Sequence, residues 1–176
     1  MARNANHGAR GDVYRLGYRW LIDGPIETVY HFVSHGRTYP EWFPVFLDAQ
    51  GDDGEVRVGA SIRYHVKALL PYHLHWDVRV TRLEPPHLVE TNTTVSLSGR
   101  FRLSGWVRFT LRAVAGRVEV LNEQEMVSEQ ALPGPLRALA TRAFAFNHDQ
   151  AMAGGGRGLQ RAVTAAVAAR QTPADS

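Results

Sequence analysis

Between residues 60 and 126 apolar and polar side chains alternate, with turn residues every ten to fifteen positions, and that period of two leaves few folds open. Ile62, Tyr64 and Val66 share one face and Arg63, His65 and Lys67 the other. Tyr72, Leu74, Trp76, Val78 and Val80 oppose His73, His75, Asp77 and Arg79 in the same way. If both apolar sets face one core, antiparallel pairing sets Tyr64 opposite Trp76, His65 opposite His75 and Arg63 opposite Asp77, with Leu69-Leu70-Pro71 as the hairpin tip. Alternating stretches from Val89 to Leu97 and from Phe101 to Leu111 flank a Ser98-Gly99-Arg100 turn, and a last one, Val118 to Met126, follows Ala115-Gly116. The expectation is an antiparallel meander.

Upstream, Tyr14, Leu16, Tyr18, Trp20 and Ile22 alternate with Arg15, Gly17, Arg19 and Leu21, and Asp23-Gly24-Pro25 ends that strand. Pro25 and Glu27 open a short helix with Ile26, Val29, Tyr30 and Val33 on its apolar side, and His35-Gly36 breaks it. The two prolines within Tyr39 to Phe46 limit that aromatic-rich piece to a turn or so of helix, and Gly51 to Gly54 is a turn between strands. Downstream of Pro133-Gly134-Pro135 a long helical segment is predicted from Leu136 to Ala169, with Leu136, Leu139, Ala140, Ala143 and Asn147 at helical spacing. Gly154, Gly155, Gly156 and Gly158 each cost about 1 kcal/mol relative to alanine inside a helix. Either the helix breaks there, or the glycines serve close packing, room for a ligand or a bend over the sheet; Leu159, Ala162, Val163 and Ala166 resume the apolar stripe beyond them. The order is α+β: about seven strands in a curved antiparallel sheet, two short helices after the first strand, and one long C-terminal helix. A single domain is expected over residues 13–169, with frayed ends at 1–12 and 170–176.

The chain of 176 residues, 44% of them hydrophobic, is large enough to make one soluble core without staples. It has no cysteine, which excludes a disulfide scaffold, a Cys-ligated zinc or iron–sulfur site and a thiol nucleophile. The net charge is +3, Lys67 is the only lysine and the arginines are spread along the chain, so no basic stripe for nucleic acid stands out. The first residues lack the apolar run of a signal peptide, and no stretch approaches the roughly 18 apolar residues of a membrane span. A cytoplasmic location is expected.

Three segments carry a family likeness: Ile22 to Tyr30, a strand, Pro and helix entry; Tyr39-Pro40-Glu41-Trp42; and Phe146-Asn147-His148-Asp149 leading through Met152 to Gly158-Leu159. Together with the element order they resemble the helix-grip fold of the SRPBCC superfamily, which includes START domains, the birch pollen allergen family and the polyketide cyclase/dehydrase family. Coverage runs from about residue 13 to 168. The resemblance implies a tunnel between sheet and long helix that holds a hydrophobic small molecule, and it places Trp42 where the family usually has a tryptophan.

Side-chain parity then says what can reach such a tunnel. Tyr64, Tyr72, Trp76, Thr91, Thr93, Phe109, Asn122 and Gln124 lie on the inner face, and Trp42 and Asn147 complete the candidate ligand-binding set. For each aromatic, ordinary core packing competes with ligand contact. Asn122 and Gln124 say more, because a buried amide without a partner costs about 1–3 kcal/mol. No inward His, Asp, Glu or Lys occurs in strands 60–126, which favours binding over acid–base chemistry. No catalytic residue is assigned and no cofactor is expected. His65, His73, His75 and Asp77 suggest a metal cluster, but they sit on the presumed solvent face beside Arg63 and Lys67, so no metal is expected. His148 and Asp149 suggest a base and its orienter, but adjacent helical residues do not face each other. Trp106 among Arg102, Arg108 and Arg112 is better read as cross-strand cation–π packing than as a nucleic-acid platform.

Leu69 and Leu70, at a tip that normally carries polar residues, are the expected portal: a ligand gate or a loop in transient membrane contact. The leading reading is binding or transport of a lipid, quinone or aromatic polyketide-like molecule by a monomer or homodimer. Two alternatives stay open. One is a polyketide cyclase/aromatase that works by folding and positioning its substrate, with Tyr64, Tyr72 or a portal arginine assisting enolisation; the other is a protein-interaction module of toxin or co-chaperone type.

Overall fold

The computed structural model describes residues 11–52, 56–67, 73–97, 101–129 and 134–171. β1 (Val13–Ile22) leads into α1 (Ile26–Ser34), a 3-10 turn (Gly36–Thr38) and α2 (Tyr39–Trp42). The strands β2 (Phe46–Gly51), β3 (Ser61–Lys67), β4 (His73–Glu84), β5 (Leu88–Leu97), β6 (Phe101–Val114) and β7 (Arg117–Ser128) follow, and α3 (Gly134–Gln171) closes the chain. All seven strands form one antiparallel sheet in the order β1-β7-β6-β5-β4-β3-β2. The expected register of β3 and β4 is the observed one: Tyr64 pairs with Trp76, His65 with His75 and Arg63 with Asp77.

The alternation does what period two demands. Along β1, Tyr14, Trp20 and Ile22 are buried while Leu21 is exposed, and along β7 Val118, Val120, Asn122, Gln124 and Met126 are buried. The outer face is a lattice of ion pairs. Arg63 Nε donates to Asp77 Oδ1 at 2.6 Å, Arg15 to Glu125 at 2.7 Å and Arg108 to Glu90 at 2.7 Å. Glu119, on the same face, lies buried beneath Arg112 and Arg19. Hydrogen bonding to Arg112 holds its carboxyl below the usual range, against the opposing effect of its burial, and Arg19 adds to the lowering. The Trp106 contact is real but runs along the strand rather than across it: the Arg108 guanidinium lies 5.1 Å from the indole centroid.

α3 is continuous through the glycines, so the choice between a break and compensation falls to compensation. A Cβ on Gly155 would meet the Phe43 ring at 2.6 Å, one on Gly156 the Trp20 indole at 2.6 Å, and one on Gly158 the Trp42 carbonyl oxygen at 1.6 Å. The missing side chains let the helix backbone lie directly on two tryptophans and a phenylalanine. Trp20 Nε1 donates to the Met152 carbonyl at 2.8 Å in that contact, and Leu159 and Val163 are fully buried beyond it.

The inward stripe of α3 runs as expected beyond the glycines, through Leu159 and Val163, and differs from the expected one only toward the helix N-terminus. Leu139 and Phe146 are 65% and 63% exposed and Ala143 is exposed, whereas Phe144, His148, Met152, Gly155, Leu159 and Val163 follow the buried side. The phase was misleading because the residues that face the sheet include glycine and histidine, chosen for fit rather than apolarity. Gly158→Ala is therefore expected to lower stability by about 2–4 kcal/mol in urea unfolding, since backbone must move. Gly154→Ala, whose Cβ meets only Pro44 at 3.9 Å, should be neutral or stabilising by up to about 1 kcal/mol.

Candidate functional site

Among the described residues, the buried apolar side chains form two groups. The larger packs around Trp20, Phe43, Leu111 and Val163; the smaller consists of Tyr14, Leu103 and Met126 with Val95 and Phe144 against it. A cavity of about 140 Å³ touches both groups, with Val33, Tyr39, Phe43 and Phe46 from the first and Val95, Met126 and Phe144 from the second in its wall. Its sides are the sheet's inner face and α3, with the short helices at one end. A space of this size holds one aromatic ring; larger guests require the wall to move.

Of the residues expected to meet a ligand, Tyr64, Trp76, Thr91, Phe109, Asn122, Gln124 and Asn147 lie in this wall. Trp42 does not: its ring stacks on Phe43 at 5.2 Å and its carbonyl receives Gly158, so it serves the helix contact instead. Nor does Thr93, whose hydroxyl accepts the Trp76 indole N–H and donates to the Asp77 carbonyl at 3.2 Å, a position between strands. Tyr72, Leu69 and Leu70 lie outside the described residues. Lys67 stands exposed at the cavity's edge.

Most of the wall is ordinary hydrocarbon and aromatic surface, and Tyr39 and Tyr64 belong to that character. They stack at 5.6 Å, and Tyr39 donates to the Val33 carbonyl at 2.7 Å. Burial drives both phenols above their usual range, with Tyr39 also raising Tyr64, so Tyr64 stays protonated at neutral pH. It can donate a hydrogen bond but is no base.

The polar exception is at the β1/β7 side. Among the described residues, Trp42 Nε1, Thr81 Oγ1, Asn122 Oδ1 and His148 Nε2 are buried without a hydrogen-bond partner. Only Asn122 and His148 of these belong to the cavity wall. An orphaned buried group of this kind costs about 1–3 kcal/mol. Asn122 pairs with Tyr18 in the sheet, and the His148 ring packs edge-on against Tyr18 at 6.4 Å, so the two orphans sit at one level of the fold.

His148 corrects the expectation that neighbouring helical residues stay apart: its Nδ1 lies 3.4 Å from Asp149 Oδ1. Burial lowers its pKa below 6.5, and Asp149 opposes that shift only in part. The neutral ring thus carries its proton on Nδ1, toward Asp149, and leaves a lone pair on Nε2. Parity along the strands could not find this group, because it enters from the helix; phasing the helix on Leu159 and Val163 would have.

Among the described residues, no three His, Asp or Glu side chains converge to hold a metal ion. His65 and His75 stack at 5.6 Å across the outer face.

The folded pKa of His148 lies below its unfolded value, so its neutral form costs nothing above about pH 6.5. As pH falls through that value, the unfolded chain binds a proton that the folded chain resists, and stability drops. His148→Gln should therefore show a shallower loss of Tm between pH 7 and pH 5 than the wild type in paired thermal scans.

No family model and no curated protein matches the chain. Solved structures do, over most of its length. An aromatase/cyclase, Zhui, from Streptomyces sp. R1128 superposes with a TM-score of 0.73 at 11% identity, covering 92% of this chain and 100% of that one. A START superfamily protein from Mycobacterium smegmatis gives 0.63 at 13%, covering 87% and 99%. Ara h 8.0201 gives 0.62 at 12%, covering 88% and 99%. With its seven-stranded antiparallel sheet, long C-terminal helix and two short helices after β1, the chain has the helix-grip fold that it shares with these structures.

Proposed function

We propose that this protein binds a small hydrophobic molecule, one ring or a little more in the present shape, between the sheet and α3. The observation that carries the reading is the cavity of about 140 Å³ left between two halves of an otherwise packed core. Native interiors rarely leave voids larger than a water molecule, because lining atoms lose dispersion contacts. A void kept within an apolar wall, beside a few hydrogen-bonding side chains, is the usual form of a small-molecule site. Tyr64, Trp76, Thr91, Phe109, Gln124 and Asn147 supply the contact surface. Lipids, quinones and aromatic polyketides remain the candidate classes, the longer ones requiring the wall to open.

A second reading is a cyclase. It is favoured by the likeness to an aromatase/cyclase and by a neutral imidazole on the cavity wall, a group able to take a proton at neutral pH. In that case the apolar wall would fold the substrate, and His148 rather than Tyr64 would be the base.

Native mass spectrometry of protein purified from its own host should find a small apolar molecule that leaves on denaturation. Ala151, on the helix side of the wall, offers a filled-cavity control: Ala151→Phe should keep the fold by circular dichroism yet lose that molecule. An empty wild-type protein that also fails to bind p-xylene in calorimetry would defeat the reading.

A further inference from the structure

We propose that Asn122 and His148 form a polar subsite that accepts a ligand hydroxyl, so that the natural ligand is a hydroxylated ring, phenolic or enolic, rather than a plain hydrocarbon or a ketone. The inference rests on the binding reading above and adds the chemistry of the bound group.

Asn122 is 2% and His148 8% exposed, and the orphaned atom on each is an acceptor. For the histidine the assignment follows from Asp149, which lies 3.4 Å from Nδ1 and holds the ring proton there. A carbonyl, an ether or a carboxylate brought to Nε2 would set lone pair against lone pair. A hydroxyl hydrogen satisfies it. Asn122 Oδ1 asks for the same kind of partner, and a ligand with two hydroxyls, or one hydroxyl and a water, serves both.

Position supports the assignment. Both residues reach the cavity at the Tyr18 level of the sheet, Asn122 as the strand partner of Tyr18 and His148 against its ring. The opposite wall, around Phe43, Phe46 and Trp76, is aromatic. A guest would thus set its ring among aromatics and its hydroxyl toward the helix and β7, which orients it as well as holding it.

Three probes of nearly one shape test the proposal on the wild-type protein by isothermal calorimetry: p-cresol, p-xylene and 4-methylanisole. A purely apolar pocket takes p-xylene in preference to p-cresol, because the hydroxyl loses its water. The subsite predicts that p-cresol binds at least as tightly as p-xylene, and that 4-methylanisole, which cannot donate, gains nothing over the hydrocarbon. In His148→Phe or Asn122→Leu the p-cresol to p-xylene ratio of affinities should fall about tenfold, the worth of one net hydrogen bond, while p-xylene stays bound. If the wild type prefers p-xylene, or if the anisole matches p-cresol, the subsite is refuted and the cavity reading survives. Should none of the three bind, the cavity reading itself falls. Failure of either variant to fold leaves the wild-type series decisive on its own.

Discussion

The contact between a side-chain-free patch of α3 and the Trp20 ring, the Phe43 ring and the Trp42 backbone is what the rest of the fold depends on. Gly155 and Gly156 bring the helix backbone onto the Phe43 and Trp20 rings, Gly158 brings it onto the Trp42 backbone carbonyl, and the Trp20 indole hydrogen-bonds the Met152 carbonyl. The glycines weaken the helix by about 1 kcal/mol each in propensity. Burial of large aromatic surfaces and of Leu159 and Val163 offsets that loss. Because the approach is so close here, α3 is pinned at one part of its length, and its position over the remainder of the sheet follows from that anchor.

The cavity is a consequence of the same geometry. Toward its N-terminal half α3 carries Phe144, Asn147, His148 and Ala151 toward the sheet instead of glycines. The smaller hydrophobic group around Tyr14, Leu103 and Met126 closes the far side. Between anchor and closure the sheet's inner face is left partly uncovered, with Thr91, Asn122 and Gln124 among its apolar residues. A polar group in that position is costly unless something meets it, which is why two orphaned atoms in one wall carry more meaning than the aromatics around them. The outer face stands in contrast: its charges pair across strands, as Arg63 with Asp77 and Arg108 with Glu90 do, in solvent-accessible ion pairs worth at most about 1 kcal/mol each.

How much of this was legible in the sequence depends on the element. The strands were, because alternation has one solution once a core side is chosen: Tyr64 opposite Trp76 followed from parity and turn position. Parity also named Asn122 and Gln124 as inward. It failed for Thr93, since a residue can point inward and still spend its hydroxyl on a neighbour, here Trp76. For the helix, apolar spacing put Leu139 and Ala143 inside, while the true stripe runs through Phe144, His148 and Gly155. A helix that packs by close approach, and lines a cavity, hides its buried face from hydrophobicity.

By itself the sequence determined a cysteine-free α+β chain, an antiparallel meander in register, and one long terminal helix, because these rest on local periodicity and turn chemistry that act over a few residues. Only the tertiary structure decided that the glycines are a docking face, that Trp42 belongs to it and not to the cavity, and that His148 enters the wall with its Nε2 unpaired. Those facts depend on where a helix rests relative to strands more than a hundred residues away in the chain, as the bond from Trp20 to Met152 shows. No local pattern encodes a distance of that kind.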